Sequence, residues 1–236
     1  MHAAGNTPSD LARCIDHTLL RADATPEHID ALCEQAAEHA FFGVCVHPVY
    51  VERAVRTLDR IRAGPTPGPR PVVISVAGFP LGGATSQGKA DEAKRALEAG
   101  AAEIDMVCRL GALLAGDTAA VRSDIQAVAN VVHRASPPGV LKVILETAAL
   151  TPDQIILGCR CAAEGEADFV KTSTGFHPAG GATVEHVRLL HRVASPLRVK
   201  AAGGIRDAAT AIAMIDAGAA RIGTSHGVAI LQGTPT

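Results

Sequence analysis

The sequence predicts an α/β fold, a single (β/α)8 TIM barrel, from three observations. Eight short apolar runs alternate with longer helical patterns, and strands that alternate with helices usually pair in parallel. The chain has 236 residues, close to the lower size limit of a closed barrel with eight such units. No G-x-G-x-x-G motif follows the first strand, which disfavours the alternative of an open doubly wound sheet. We therefore expect one domain over residues 1–236.

The individual elements follow from short-range signals. Helical patterns over 25–40 and 151–167 begin with Thr-Pro and acidic residues, as helix starts do, and the latter pattern stops at a glycine. The pattern over 85–101 stops at Gly100. The Pro- and Gly-rich segment 63–71 predicts a stiff loop before the third strand. The predicted strands are 14–19, 42–46, 72–77, 103–108, 141–146, 168–173, 198–202 and 221–224.

Composition excludes several functional classes. The net charge is -2, basic residues are dispersed, and aromatic residues make up only 3%, which disfavours a nucleic-acid surface. Six cysteines occur without a C-x-x-C pair, which predicts reduced thiols in a cytoplasmic protein and no zinc site. The N-terminus shows no signal-peptide pattern, and no apolar run reaches the length of a membrane span.

Lysine is distributed unusually. The chain has five lysines among its 22 basic residues, and three of them fall in predicted strands, where a filled barrel prefers aliphatic side chains. Successive strand residues face opposite sides, so the apolar face of 103–108 meets the helices and its acidic face points inward. For each polar residue alone, a purely stabilising ion pair remains an alternative. The polar residues that we expect inside the barrel are Asp16, Thr18, Glu103, Asp105, Lys142, Lys171 and Lys200.

Two of these lysines have the setting of an amine nucleophile. Lys171 and Lys200 lie on adjacent predicted strands, about 4.8 Å apart in a sheet. A free lysine is neutral in only about one molecule in 2,500 at pH 7. A neighbouring ammonium and burial both favour the neutral form. A neutral lysine attacks an aldehyde to form an iminium, which accepts electrons from a breaking carbon–carbon bond. Asp105 is expected to relay a proton and to keep the second lysine charged.

Glycine-rich loops follow the sixth, seventh and eighth predicted strands. Loops after strands seven and eight, together with a helix N-terminus, commonly bind phosphate in this fold. Glycine allows backbone N–H groups to approach the phosphate oxygens closely. Each glycine taken alone is also compatible with an ordinary turn. The residues expected to bind phosphate or substrate here are Thr174, Gly175, Gly203, Gly204, Gly223 and Ser225.

These residues lie in motifs through which nearly the whole chain resembles the deoxyribose-phosphate aldolase family, the DeoC-type class I aldolases. "KTSTGF" with "VKAAGGI" is by itself a specific combination. The motifs are "IDHTLL" (15–20), "GVCVHP" (43–48), "GFPLG" (78–82), "EIDMV" (103–107), "LKVILET" (141–147), "ADFVKTSTGF" (167–176), "VKAAGGIR" (199–206) and "RIGTS" (221–225).

The resemblance implies that Lys171 forms a Schiff base, that Lys200 perturbs its pKa, and that Asp105 takes part in proton transfer. It implies reversible cleavage of 2-deoxy-D-ribose 5-phosphate to acetaldehyde and D-glyceraldehyde 3-phosphate, in deoxyribonucleoside catabolism. It further implies a site lined by Asp16, Thr18 and Lys142. No metal or organic cofactor is implied, and the only partners are the sugar phosphate and further copies of the chain, with a homodimer favoured.

The sequence departs from the family pattern at two points. His226 stands where the family often has a second serine, and the only tyrosine is Tyr50, whereas some members end in a tyrosine that assists proton exchange. Proton transfer is therefore expected to rely on Asp105, Lys200 and water. Two other functions remain open alternatives. One is a sugar-phosphate isomerase or epimerase with a carboxylate base, and the other is a non-catalytic sugar-phosphate sensor.

Overall fold

Eight parallel strands close into a barrel. The structure is a computed structural model that describes residues 7–64 and 68–234. Each strand pairs with the next in the chain, and the first pairs with the last, which confirms the predicted barrel and excludes the open sheet. The strands are β1 Ile15–Leu19, β2 Gly43–Val46, β3 Val72–Ala77, β4 Glu103–Val107, β5 Val140–Ile144, β6 Phe169–Lys171, β7 Arg198–Ala202 and β8 Arg221–Thr224.

Helices surround the strands. The Thr-Pro starts are confirmed, because the hydroxyls of Thr25 and Thr151 each accept a backbone N–H in a capping box. Within residues 7–64 and 68–234, no helix is long and apolar enough to cross a membrane. The helices are α1 Pro8–Ala12, α2 Pro26–Glu38, α3 Val51–Arg62, α4 Ser86–Glu98, α5 Leu110–Leu114, α6 Thr118–His133, α7 Pro152–Glu164, α8 Val184–Val193, α9 Ala208–Asp216 and α10 Gly227–Gln232.

Two predicted strand ends differ from the structure. Strands β5 and β6 end at Ile144 and Lys171, earlier than predicted, because the chain turns there into the loops of the barrel mouth, with Glu146 at φ 61°. The glycine stop of the pattern over 151–167 is confirmed, since α7 ends at Glu164 with Gly165 as its C-cap, and the left-handed residue that follows is Glu166. The predicted stiff loop 63–71 includes residues 65–67, which lie outside the described chain.

The two faces of the barrel wall bury different side chains. Ile104 and Met106 are fully buried in the large apolar cluster between strands and helices, as the alternation in β4 predicts. A separate small cluster inside the barrel is formed by Leu20, Cys45, Ile74 and Val76. The interior is therefore apolar near β2 and β3, which leaves the remaining strands to carry its polar groups.

One lysine outside the barrel interior is also fully buried. Lys89 of α4 donates to Asp124 Oδ2 at 2.6 Å and to the Val107 carbonyl at 2.8 Å, and neither side chain of this ion pair is exposed. Lys94, further along α4, has a side chain that is 64% exposed. Among the five lysines of the chain, Lys94 is thus the one whose amine faces solvent.

Candidate active site

A cavity of about 280 Å³ opens at the carboxyl ends of β1, β6, β7 and β8, the face on which barrels of this type carry their active sites. Lys171 lies at its base and is 3% exposed. The sequence-predicted residues that line the cavity are Thr18, Lys171, Thr174, Gly175, Gly203, Gly204, Gly223 and Ser225.

The two adjacent lysines point to the same place. Lys171 and Lys200 are direct partners in the register of β6 and β7. Their ammonium groups donate to one oxygen, Asp105 Oδ2, at 2.8 and 2.7 Å. Lys171 reaches the cavity, whereas Lys200 is fully buried beneath it. The structure therefore brings together the pair of amines on which the predicted chemistry depends.

Asp105 is the shared acceptor of three lysines. Its second oxygen, Oδ1, accepts from Lys142 at 2.7 Å, and its side chain is fully buried. Burial alone would raise the pKa of this carboxyl, but the charges of Lys142, Lys171 and Lys200 outweigh it and hold the pKa well below its usual range. Asp105 is therefore a carboxylate at any pH at which the protein would work.

The ion pairs continue around the barrel and close on themselves. Arg221 of β8 donates to Asp16 Oδ1 at 2.7 Å and approaches Glu103 Oε2 at 3.5 Å. Glu103 Oε2 also lies 2.6 Å from Lys142 Nζ. We term this closed set the charge ring. Its members, in order of contact, are Glu103, Lys142, Asp105, Lys200, Asp16 and Arg221.

The same environment moves the pKa values of the two neighbouring lysines in opposite directions. Burial lowers the pKa of Lys171, Asp105 opposes that effect, and the charge of Lys200 adds to it, with a lowered pKa as the result. Burial also acts on Lys200, but Asp105 and Asp16 outweigh it and raise the pKa of Lys200 above its usual value. One amine is thus biased toward a neutral nucleophile beside a permanently charged partner.

The glycines around the cavity adopt backbone conformations that side chains disfavour. Gly175, Gly203 and Gly204 have φ values of 82°, 94° and 81°, in the region that favours glycine. A Cβ on Gly203 would lie 3.1 Å from the Cα of Gly181 and 3.4 Å from that of Gly175. The loops after β6 and β7 therefore pack backbone against backbone, which brings main-chain atoms rather than side chains to the cavity wall at these glycines.

Three further cavity residues carry or can carry positive charge. Arg21 after β1, Arg206 after β7 and His226 after β8 line the same cavity. His226 Nδ1 lies 3.0 Å from Ser225 Oγ, and its backbone N–H donates to Thr224 Oγ1. Arg21 is not among the residues predicted from the sequence. Arg21 directly follows the "IDHTLL" motif. Its position at the end of the first predicted strand could therefore have identified it as a cavity residue.

The loop after β6 is fixed by a buried carboxylate. Glu146 Oε1 accepts the backbone N–H of Thr174 at 3.1 Å, and the Thr174 hydroxyl donates to Glu146 Oε2. The same hydroxyl accepts the N–H of Phe176. The Thr174 side chain is thus engaged within the protein, and its contribution to the cavity is its position rather than a free hydroxyl.

Some predicted residues lie below the cavity instead of on its lining. Asp16 and Lys142 are fully buried members of the charge ring, as are Asp105 and Lys200. Arg221 was not identified from the sequence, although its alternation with Gly223 in β8 places both on the inward face. Among residues 7–64 and 68–234, no group of three or more histidine, cysteine, aspartate or glutamate side chains is arranged to hold a metal ion.

Comparison with known proteins agrees with this architecture. The model of the DeoC/LacD family aldolases matches residues 11–233. A deoxyribose-phosphate aldolase of Brevibacillus brevis is 47% identical over 228 residues, covering 96% of this chain and 97% of the relative. One of Deinococcus radiodurans is 50% identical over 224 residues, covering 94% and 96%. A solved deoxyribose phosphate aldolase of Aeropyrum pernix, described as tetrameric, superposes with a TM-score of 0.86 at 34% identity, covering 97% and 92%. The chain belongs to the DeoC/LacD family of aldolases.

Proposed function

We propose that this protein is a deoxyribose-phosphate aldolase that cleaves 2-deoxy-D-ribose 5-phosphate to acetaldehyde and D-glyceraldehyde 3-phosphate through an imine on Lys171. The observation that carries the proposal is the placement of Lys171 at the base of the cavity beside Lys200, with both amines on Asp105 Oδ2. Relatives at 47% and 50% identity that carry this activity in their names support it.

The steps follow from the position of the amine. Neutral Lys171 Nζ adds to the C1 aldehyde of the open-chain sugar, and loss of water gives an iminium. A base removes the proton of the C3 hydroxyl, the C2–C3 bond breaks, and its electron pair moves toward the iminium nitrogen to form an enamine. Glyceraldehyde 3-phosphate leaves, C2 takes up a proton, and water releases acetaldehyde from Lys171. We assign the proton transfers to water held near Asp105 and Lys200.

The phosphate of the sugar fits the opposite wall of the cavity. We assign it to the backbone of Gly203, Gly204 and Gly223 with the Ser225 hydroxyl, because these line the cavity after β7 and β8. Thr18 and Gly175 complete the wall near the sugar carbons. Arg206 supplies positive charge at the rim, which favours a dianionic ligand. Arg21 also lies at the rim, where its guanidinium pairs with Asp23 at 3.2 Å.

The alternative of a carboxylate-based isomerase or epimerase finds less support. Such an enzyme needs a carboxylate whose pKa lies near the working pH. Asp105 accepts hydrogen bonds from three lysines, and those charges hold its pKa well below the usual range. A carboxylate in that setting is a poor general base, whereas the neighbouring amine is biased toward nucleophilic attack.

Reductive trapping with acetaldehyde tests the proposed function. Because the iminium of Lys171 is reducible, we expect borohydride to leave one ethyl group on Lys171, detected by peptide mass spectrometry. Lys94 is the internal control, since its amine is solvent-exposed and outside the cavity. Absence of the adduct on Lys171, or labelling of both lysines at the same rate, contradicts the proposal. Addition of 2-deoxyribose 5-phosphate in place of acetaldehyde should label the same lysine, with the reduced sugar phosphate before C2–C3 cleavage and with an ethyl group after it.

The phosphate assignment predicts a selective defect in a glycine variant. Gly204 lines the cavity with φ 81°, and a Cβ added there would meet no atom within 4 Å. We expect Gly204→Ala to raise KM for 2-deoxyribose 5-phosphate about tenfold, because relief of the strained φ shifts the loop backbone and weakens its N–H contact with the phosphate by about 1.4 kcal/mol. Cleavage of unphosphorylated 2-deoxyribose, measured in the same assay, should change much less.

Gly116→Ala provides a matched control for that variant. Gly116 has φ 75°, also with open space at the Cβ position, and it lies at the end of α5 away from the cavity. Both variants should therefore show a similar loss of thermal stability from backbone strain, about 1 kcal/mol each. A similar KM change in both variants would place the phosphate elsewhere.

The cysteines support the cytoplasm as the compartment of action. All six are free thiols, and burial raises the pKa of Cys45 to about 11 and that of Cys33 to about 12. Protonated, buried thiols of this kind are typical of a reducing compartment. The homodimer stays a prediction, and the tetramer described for the A. pernix relative supports some form of self-assembly.

A further inference from the structure

The barrel interior holds one more basic group than acidic groups. Three carboxylates face four cations, and none of the seven residues is more than 5% exposed. A buried charge without a partner is costly, so a group that can lose its proton tends to do so. The carboxylates are Asp16, Glu103 and Asp105, and the basic groups are Lys142, Lys171, Lys200 and Arg221.

The contacts single out Lys171 as the surplus cation. Lys142, Lys200 and Arg221 each contact two carboxylates of the charge ring. Lys171 contacts one, through an oxygen that it shares with Lys200. The charge ring, of which Lys171 is not a member, holds three negative and three positive groups, so the seven buried groups together are neutral when Lys171 is neutral. The neutrality of the ring thus depends on Arg221 as much as on the two ring lysines.

We propose that Arg221 is a positioning residue that, by completing the charge ring at the barrel base, sets the pH at which Lys171 becomes nucleophilic. This inference rests on the proposed Schiff-base function of Lys171. Without the guanidinium, the ring would hold an excess negative charge. Lys171 in its protonated form is the basic group that can cancel it. Proton uptake by Asp16 or Glu103, which lose their partner, would cancel it instead and leave the pH at which Lys171 reacts unchanged.

The surroundings of Arg221 prevent water from replacing its charge. Its guanidinium carbon lies 3.2 Å from the centre of the Phe42 ring and 5.8 Å from that of Phe169. The residue is 3% exposed. An arginine stacked in this way is held in place and poorly screened. Its side chain acts through Asp16, which it shares with Lys200, and not through the cavity.

The other strands contribute no competing charge near Lys171. Strand β3 presents Ile74 and Val76 to the interior, and β2 presents Cys45, a thiol whose pKa burial raises to about 11. Arg198, at the start of β7, stacks on Phe169 but is exposed to solvent, which screens its charge. The charged and titratable groups around Lys171 are Asp16, Glu103, Asp105, Lys142, Lys200 and Arg221 of the ring, Cys45 of β2, and Arg21, Arg206 and His226 at the cavity rim. Glu146 after β5 is also buried, but its carboxylate is held by Thr174 and pairs with none of the cations of the ring.

The test is the pH profile of imine trapping at Lys171, with acetaldehyde and cyanoborohydride, followed by mass spectrometry. The trapping rate rises with pH to a plateau as Lys171 loses its proton. We expect the midpoint of the profile of Arg221→Met to lie about one pH unit higher than that of the unmodified protein. The trapping rate at neutral pH should therefore be about tenfold lower and should recover in alkaline buffer. Arg221→Lys, which keeps the charge, should move the midpoint much less.

A second variant, expected to move the midpoint of the pH profile in the opposite direction, tests the proposal if Arg221→Met does not fold. Glu103→Gln removes one negative charge from the ring, so its midpoint should move down by about one unit. The double variant Arg221→Met/Glu103→Gln restores a neutral ring and should return the midpoint toward that of the unmodified protein. Circular dichroism and thermal melting identify which variants fold.

The outcomes separate the inference from the function on which it rests. Unmoved midpoints in folded Arg221→Met, or in Glu103→Gln, overturn the role of Arg221 while leaving the Schiff base intact. A rate lowered equally at every pH has the same meaning, since a purely structural defect does not shift a midpoint. Failure to trap any adduct on Lys171 in the unmodified protein overturns the proposed function itself.

Discussion

The Lys171→Leu variant is expected to lose cleavage of 2-deoxyribose 5-phosphate by at least about 10⁴-fold, the scale on which removal of a nucleophile acts. The fold should persist, because Lys171 is the surplus cation and the charge ring stays complete without it. Leucine also fills most of the buried volume of the lysine stem. We therefore expect the melting temperature to stay level or to rise.

A coupled assay for glyceraldehyde 3-phosphate and a thermal melt check this expectation together. Lys94→Leu is the matched control, since the same substitution at an exposed helical position outside the cavity should leave turnover unchanged. Substantial activity in folded Lys171→Leu would mean that another group forms the covalent bond to the substrate aldehyde. Loss of folding would show that the amine has a structural role that its single ion pair does not suggest.

Asp105→Asn is expected to reduce both activity and stability. The substitution keeps the shape of the side chain but removes the one charge that three buried lysines share. Breaking a buried ion pair from one side costs about 3–5 kcal/mol, which for a chain of this size lowers the melting temperature by roughly 10 °C. We expect turnover to fall at least about 10³-fold, because Lys171 Nζ loses its anchor and Lys200 its charge partner.

The pH dependence of this stability loss gives a sharper check. Because the folded-state pKa of Asp105 lies well below the usual range, its contribution to stability is present above the unfolded pKa of about 3.9. It is lost as the pH falls toward the folded pKa. The gap in unfolding free energy between the unmodified protein and Asp105→Asn should thus persist above about pH 4 and close below it. Asp91→Asn, at an exposed site of α4, should show no such gap.

Local patterns made most of the barrel predictable. The alternation in β4 placed Asp105 inward and Ile104 outward, and both placements are found. Lysines in predicted strands were informative because burying a charged amine costs free energy unless the amine is paired or loses its proton. The predicted end of β5 was too late because Leu145 extends the apolar run while the backbone turns at Glu146. The predicted end of β6 was also too late, since Thr172 and Ser173 follow the strand rather than belong to it.

The charge ring was less accessible from sequence. Its contact between Arg221 and Asp16 spans 205 positions and exists only because β8 closes onto β1. The helical pattern over 85–101 likewise gave no sign that Lys89 turns inward to Asp124, 35 positions away. Periodicity assigns a side chain to a face, but the partner that it meets there depends on tertiary closure.

The burial of four of the five lysines has a consequence for how the protein withstands its own reactants. Aldehydes glycate and cross-link surface amines, whereas arginine side chains react far more slowly. Among the lysines, only Lys94 is exposed on the outer surface, so aldehyde damage to lysine outside the active site concentrates in the groove between α4 and α6 that it lines. Attachment of the Lys94 amine to an aldehyde-bearing support would leave the barrel mouth unobstructed.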